Sequence, residues 1–342
     1  MTDRARVPTR PAPRPADVST TPHSFGPTPV AVLMRLSLEG RAEYAWSRGT
    51  AAVQPLTSVI SGQVRSANVL GPGGACLVFE DFDPRPRPVD PWDQEASIGP
   101  RFLELEDGTT RALPVAWPEG RLSSMEFAVA PDRRHVAVAC TTIFAPGGRP
   151  PTARDGHVSI QLTAPDAAGP REIYRRQANV SSDASSRPVQ WSPDGTRIAV
   201  SIYDLSGNPM SPIPAAVLIL DASTGDTLTT INGVTLAGSA SWTPDSTHVA
   251  VFDGRETHHL ADTTSAALSP LRLPWRVPSG RRRWNLVGMA ASDRVLVYLQ
   301  RGSTGRIVTI GVDGEDERDV VSWRGEADMY VTAAQMPAGY WD

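Results

Sequence analysis

Apolar residues in this chain come in short runs, and turn-forming residues bound each run. The run 198–200 (IAV) follows a Pro-Asp-Gly turn, and the run 216–220 (AVLIL) ends at Asp221, before a second turn. Such runs predict β-strands, because an amphipathic helix would repeat its apolar positions about every 3.6 residues. Long helical periodicities are absent, so the pattern predicts an all-β chain.

The segment 191–200 (WSPDGTRIAV) recurs in degraded form at 242–251 (WTPDSTHVAV) and at 129–138 (VAPDRRHVAV). In this segment Pro presets φ, Asp bonds the local backbone, and Gly supplies a positive φ. The copies are spaced by about one four-stranded sheet, which is typical of a β-propeller. We expect Trp191 to be largely buried between blades and Asp194 to accept hydrogen bonds from the amides of its turn.

These copies resemble the repeat of the TolB-like propeller family, which is related to the WD type. The resemblance is close at 191–200 and partial at the other two copies, and weaker echoes before 76–79 and 295–298 lack the turn Asp. The resemblance implies a β-propeller fold. It implies no particular chemistry, because propellers host many functions.

The strand pattern divides into blades at about 65–114, 122–175, 187–231, 238–273 and 285–322. Further strands near 29–57 and 329–336 predict a blade built from both chain ends, which would close the ring and remove exposed sheet edges. We therefore favour a six-bladed β-propeller, with seven blades as the alternative, in one domain over 28–342. Residues 1–27 are rich in Pro and Arg and predict a disordered tail.

Composition narrows the possible chemistry. The chain has 342 residues and a net charge of −4, which gives no electrostatic footprint for nucleic acid. It contains no lysine, which excludes Schiff-base chemistry and the lysine of a phosphate-binding loop. No apolar run approaches the roughly 18 residues of a membrane span, so we expect no membrane partner and a cytoplasmic location. Cys76 and Cys140 are expected to be buried free thiols.

Loop lengths indicate a functional face. In a four-stranded antiparallel blade, the first and third connections lie on one face, and the second connection and the link to the next blade lie on the other. The first set is short and contains the Pro-Asp-Gly turns, whereas the second set is long, so we expect binding residues there. These loop-face segments are 81–100, 141–156, 176–186, 204–213 and 274–284. The candidate contact residues are Asp83, Arg87, Trp92, Arg149, Arg154, His157, Asn208 and Arg281.

Metal and cofactor sites are not expected. Carboxylates in 81–100 are possible Ca²⁺ ligands, but the four prolines between 84 and 91 oppose wrapping around one ion. His258 and His259 are neighbours on a predicted strand and point to opposite faces, so they cannot readily chelate one metal. His135 and His248 lie in turns and are interpreted as structural.

Serine-hydrolase, zinc, P-loop and dinucleotide-binding motifs are all missing from the sequence. The leading hypothesis is therefore a non-catalytic propeller that presents its loop-rich face to a protein partner or small ligand. The alternative is a propeller enzyme (a lyase, hydrolase or biosynthetic cyclase) at the mouth of the central channel, with His157 as a possible general base. A deep pocket with converging polar groups would favour the enzyme.

Deletion of residues 1–27 is expected to leave the melting temperature within a few degrees of the full chain, because the tail offers no apolar face to bury. Differential scanning calorimetry of the two proteins checks this. A large loss would mean that part of the tail supplies a blade strand.

Overall fold

The computed structural model describes part of the chain, and every regular element in the described ranges is a β-strand. The described residues are 30–38, 41–48, 54–55, 66–70, 76–82, 97–116, 121–143, 156–177, 180–181, 189–204, 213–254, 257–273, 282–301, 304–324 and 326–335. No helix in these ranges is long and apolar enough to cross a membrane.

The strands are numbered along the chain. They are β1 (Val30–Leu38), β2 (Arg41–Arg48), β3 (Gln54–Pro55), β4 (Ser66–Leu70), β5 (Cys76–Phe82), β6 (Ser97–Glu104), β7 (Thr110–Ala112), β8 (Arg121–Val129), β9 (Val136–Ile143), β10 (Gly156–Thr163), β11 (Arg171–Gln177), β12 (Val180–Ser181), β13 (Val189–Trp191), β14 (Arg197–Asp204), β15 (Ile213–Asp221), β16 (Thr227–Asn232), β17 (Thr235–Leu236), β18 (His248–Phe252), β19 (His258–Asp262), β20 (Leu268–Pro270), β21 (Arg282–Ala291), β22 (Arg294–Arg301), β23 (Thr304–Gly311), β24 (Arg318–Arg324) and β25 (Glu326–Gln335).

Five blades follow one another along the chain in a β-propeller arrangement. The first blade holds β4–β7, the second β8–β11, the third β12–β16, the fourth β17–β20 and the fifth β21–β24, each with antiparallel neighbours. In the third blade the first strand is split, because β12 and β13 both pair with β14. The five blade ranges predicted from turn residues and apolar runs match these strands closely.

A further sheet, the terminal sheet, is described by its backbone alone. In it β25 lies next to β1, followed by β2 and β3, and Val30 stands opposite Gln335. Five blades with described side chains are thus found, rather than the six or seven that the sequence predicts. Closure of the ring by the two chain ends remains a proposal.

The hydrophobic core lies between blades. One cluster joins Val158 of the second blade to Val200 and Leu218 of the third, and the next joins Val217 of the third blade to Val251 of the fourth. The third sheet therefore buries one face against the second blade and the other against the fourth, which is how face-to-face sheets exclude water.

The two cysteines belong to the same kind of inter-blade core. Cys76 of the first blade and Cys140 of the second are free, fully buried and part of one cluster, as the sequence predicts. Burial raises the pKa of each thiol to about 12. Both thiols are therefore protonated and act as apolar core groups.

Polar side chains also cross the boundaries between blades. Gln190 of the third blade donates from Nε2 to the carbonyl of Gly238 at 2.8 Å, and its Oε1 accepts from the amide of Ser241 at 2.7 Å. This side-chain amide therefore pairs with the fourth blade as a backbone peptide would.

Gly225 provides a test of how closely the blades approach. It has φ of +82°, and a Cβ there would lie 1.8 Å from the carbonyl oxygen of Ile173 in the second blade, whereas Gly233 has φ of +72° and open space around it. Gly233→Ala is expected to lower the free energy of unfolding by about 1 kcal/mol, and Gly225→Ala by about 3 kcal/mol or more, because only the latter forces the blades apart. Urea unfolding of both variants measures this difference. Equal losses would contradict the packing described.

Candidate functional site

The repeat turns share one hydrogen-bonding scheme. In the third blade Asp194 Oδ1 accepts from the amide of Thr196 at 2.9 Å and from Ser192 Oγ at 2.6 Å. The prediction that Asp194 bonds the backbone of its turn is therefore confirmed. In the second blade Asp132 Oδ1 accepts in the same way from the amide of Arg134 at 2.8 Å.

The turn conformation persists where the glycine is lost. Gly195 has φ of +73°, and the equivalent residues Arg133 and Ser246 have φ of +59° and +61°. A side chain in this left-handed region costs about 1 kcal/mol. Ser246 offsets part of that cost, because its Oγ accepts a hydrogen bond from the amide of Asp194 at 3.0 Å.

An arginine closes the seam between the third and fourth blades. Arg197 donates from Nη1 to Thr263 Oγ1 at 2.9 Å and from Nη2 to the carbonyl of Ser246 at 2.6 Å. Its guanidinium carbon lies 5.4 Å from the ring centre of Trp242, which is only 2% exposed. Within the third blade, Arg197 Nη2 also forms an ion pair with Asp194 Oδ2, at a distance of 3.2 Å. We call this group the Arg197 clamp.

The preceding seam, between the second and third blades, is open at the same turn positions. A cavity of about 670 Å³, which we call the seam cavity, lies there on the face of the Pro-Asp-Gly turns. It is lined by Ala130, Pro131, Asp132, His135, Leu162, Thr163, Ala164, Ala167, Gly169, Arg171, Trp191, Asp194, Gly195, Ala222 and Ser223. Five of these residues occupy the repeat positions that form the Arg197 clamp one seam later: Asp132, His135, Trp191, Gly195 and Ala222.

A carboxylate and an imidazole meet at the wall of the seam cavity. His135 Nδ1 lies 2.6 Å from Asp132 Oδ2, and about half of each side chain is exposed. Burial alone would raise the pKa of Asp132, but hydrogen bonds from Arg134 and His135 outweigh it, so the pKa lies below its usual value. Asp132 is therefore an anion that holds the ring through Nδ1, and Nε2 is the ring nitrogen that takes no part in this contact.

Two further groups shape the seam cavity. Arg171 donates from Nη2 to the carbonyl of Ser223 at 3.0 Å, which holds a cation at the rim. Trp191 packs on the inter-blade core with one part of its ring, and its buried Nε1 has no hydrogen-bond partner. Trp191 is partly buried against the core between the second and third blades, as the sequence predicts, and it also lines the seam cavity.

The predicted contact residues fall mainly on segments that the structure does not describe. Seven of the eight lie outside the described residues: Asp83, Arg87, Trp92, Arg149, Arg154, Asn208 and Arg281. The eighth, His157, lies on β10 between β9 and β11 and is 2% exposed. Burial, assisted by Arg175, lowers its pKa. His157 is therefore a strand residue rather than the loop end that the sequence suggests.

The other histidines have varied surroundings. His248 Nδ1 lies 2.8 Å from Thr247 Oγ1 within its turn. His258 lies between the rings of Phe252 and Trp284, at 5.1 and 5.5 Å, and burial lowers its pKa to about 4. Among the described residues no group of three or more His, Cys, Asp or Glu side chains is arranged to hold a metal ion.

Sequence reasoning missed the seam cavity because each wall comes from a different blade. The sequence of one blade indicates only a structural role for these turn residues, because each turn Asp bonds the backbone of its own turn. A usable signal is present in the aligned copies. His135 of the copy at 129–138 corresponds to Arg197 of the copy at 191–200, and Gly195 of that second copy corresponds to Ser246 of the copy at 242–251. Both exchanges remove side-chain volume from a seam.

Comparison with known proteins supports the fold. No protein-family model matches the chain, and the search of curated proteins gives no match. The structure is similar to an oligogalacturonate lyase from Vibrio parahaemolyticus, with 8% identity, a TM-score of 0.51, and coverage of 84% of this chain and 73% of that chain. The β-propeller fold is therefore shown, and membership of the TolB-like family is not confirmed.

Two further solved structures are similar at lower scores. One is an oligogalacturonate lyase in complex with manganese, with 9% identity, a TM-score of 0.48, and coverage of 91% of this chain and 87% of that chain. The other is a periplasmic gluconolactonase from Pseudomonas aeruginosa, with 14% identity, a TM-score of 0.43, and coverage of 90% of this chain and 99% of that chain.

The turn carboxylates make stability depend on pH. Burial alone would raise the pKa of Asp194, but hydrogen bonds from Ser192, Thr196 and Arg197 lower it from 3.8 to about 2. Because the folded-state pKa is depressed, the stabilisation is complete above about pH 4 and is lost as pH falls towards 2. Asp194→Asn is expected to cost about 1 kcal/mol at pH 6, after allowance for solvent screening, and much less near pH 2. Urea unfolding across this range measures the difference, and a pH-independent cost would contradict the assignment.

Proposed function

We propose that the chain is a β-propeller enzyme whose reaction takes place in the seam cavity. His135 is the proposed general base, and Asp132 is the residue that positions it. The observation that carries this proposal is the 2.6 Å contact between Asp132 Oδ2 and His135 Nδ1 at the wall of a cavity of about 670 Å³. A base held by a carboxylate and facing a ligand-sized space is the arrangement that acid–base catalysis requires.

The chemistry follows from the two ring nitrogens. Asp132 accepts the Nδ1 proton, so the neutral ring carries its lone pair on Nε2. Nε2 would take a proton either from a water molecule that attacks the substrate or from a carbon–hydrogen bond of the substrate. The imidazolium that forms is stabilised by Asp132, and it returns the proton to the leaving group. The reaction class is therefore hydrolysis or elimination on a small polar substrate.

The cavity also favours an enzyme over a passive scaffold. Its volume falls within the roughly 300–1,000 Å³ that small-molecule sites occupy, and polar groups of two blades converge on it. The fold accommodates catalysis by analogy, since a protein named as a lyase has it. Binding of a protein partner on the loop-rich face stays a prediction, because its proposed contacts lie outside the described residues.

We also propose that the terminal sheet is a sixth blade that closes the ring, in one domain over 28–342 of the TolB-like type. The pairing of β25 with β1 supports this, because it joins the two ends of the chain in one antiparallel sheet. A closed ring leaves no exposed blade edge. We also propose that the protein is located in the cytoplasm.

The function is tested with His135→Asn, which keeps a polar group near the position of the imidazole Nδ1 and removes the base. On a panel of esters, lactones, uronides and guanidino compounds, the variant is expected to lose about 10²- to 10⁴-fold of any turnover shown by the native protein. His248→Asn is the matched control, because it removes the histidine of the same repeat position at another seam. Turnover that survives His135→Asn would place the reaction elsewhere, and binding without turnover would contradict an enzyme.

A further inference from the structure

Two neighbouring seams of this propeller are built from the same repeat positions, and an arginine fills only one of them. At the seam of the third and fourth blades, the guanidinium of Arg197 bonds the carbonyl of Ser246 and Thr263 Oγ1 and lies over Trp242. At the seam of the second and third blades, the same positions surround the seam cavity. The filled seam therefore shows what chemistry the open seam is shaped to accept.

Repeat position links the two seams residue by residue. His135 and Arg197 both stand three residues after the turn Asp, and Gly195 and Ser246 both stand one residue after it. The imidazole of His135 is shorter than an arginine side chain and is held back by Asp132 at 2.6 Å. The space that a guanidinium occupies in one seam is thus vacated in the other.

The opposite wall of the cavity has lost volume in the same way. The amide of Ala222 donates to the carbonyl of Thr196 at 2.9 Å, and the amide of Thr263 donates to the carbonyl of Thr247 at 3.0 Å, so these residues are equivalent. Thr263 fills its seam and is 2% exposed. Alanine at 222 removes the hydroxyl and the methyl group at this point.

An aromatic surface remains in the open seam. Trp242 is 2% exposed beneath the Arg197 guanidinium, whereas the equivalent Trp191 is half-buried and lines the seam cavity. An indole face attracts a planar cation, and arginine is the side chain that uses this contact most often. The seam cavity therefore keeps the stacking surface and lacks the group that stacks.

The charged groups of the cavity fit a guanidinium with an acidic group at its other end. Asp132 and Asp194 supply carboxylates, and Asp194 is already shared with Arg197 at 3.2 Å. Arg171 and His135 are the remaining titratable side chains of the lining. Arg171 at the rim suits a carboxylate, because its planar fork matches that group.

We propose that the seam cavity binds a guanidinium compound of the size of arginine, with the guanidinium between Asp132 and Trp191 and the carboxylate at Arg171. A guanidinium compound would be the substrate class of the proposed enzyme, and the proposal rests on the proposed function only because both use the seam cavity.

Calorimetric titration of the full chain with arginine and with citrulline tests the proposal. Citrulline has nearly the same shape, and a neutral urea replaces its guanidinium. Arginine is expected to bind in the millimolar range or tighter, and at least about tenfold more tightly than citrulline, because only the cation gains from Asp132 and the indole face. Equal binding of the two, or no binding of arginine at millimolar concentration, would overturn the proposal.

A second variant rebuilds the clamp inside the cavity. His135→Arg combined with Ala222→Thr supplies the guanidinium and the hydroxyl that close the next seam. This protein is expected to lose arginine binding at least about tenfold while its melting temperature stays equal or rises. His248→Arg is the matched control at another seam and should bind arginine as the native chain does. Native-like binding by the rebuilt protein would show that arginine sits elsewhere.

The two proposals fail separately. Arginine binding without turnover of any compound on the panel would leave the guanidinium site standing and remove the proposed enzyme. Turnover of other substrates that His135→Asn abolishes, in a protein that does not bind arginine, would overturn the guanidinium site alone.

Discussion

Apolar contact between neighbouring blades is the interaction on which the other features of this protein depend. A single four-stranded sheet has two faces and no interior, so it becomes stable only when other sheets cover it. In the described part of the chain, clusters of buried residues run from one blade to the next, through side chains such as Val158, Val200, Val217 and Val251. The side chains of the turns then determine which polar contacts join neighbouring blades at the edge of this core.

The seams share a core and differ in closure. Between the third and fourth blades a charged side chain and the Gln190 amide complete the contact. Between the fourth and fifth blades the backbones themselves meet: the amide of Met289 donates to the carbonyl of Ala240 at 2.7 Å, and a Cβ on Gly288 would lie 2.3 Å from that oxygen. Because the core beneath secures each seam, its edge is free to change, and a site can arise there without loss of the fold.

Strands and turns were predictable because their causes are local. The predicted third-blade strands at 187–191 and 196–203 correspond to β13 and β14, since Pro, Asp and Gly set the turn between them whatever lies on the next blade. The sequence did not show how the blades meet. The contact of Arg197 with Thr263 joins residues far apart in the chain, and the exposure of Trp191 depends on side chains of another blade. The site was therefore open to prediction only through comparison of the repeat copies.

The unequal closure of neighbouring seams has a mechanical consequence. The Arg197 clamp stiffens the contact between the third and fourth blades, because separating them breaks the hydrogen bonds of Arg197 to Thr263 and Ser246 and its contact with the Trp242 ring together. The seam beside it has no arginine at this repeat position, and at its rim it is crossed by the hydrogen bond from Arg171 Nη2 to the carbonyl of Ser223. We therefore expect it to be the more compliant of the two where the seam cavity lies. Motion between blades is then expected to concentrate at this seam, and a molecule bound in the seam cavity would link the second and third blades as Arg197 links the third and fourth.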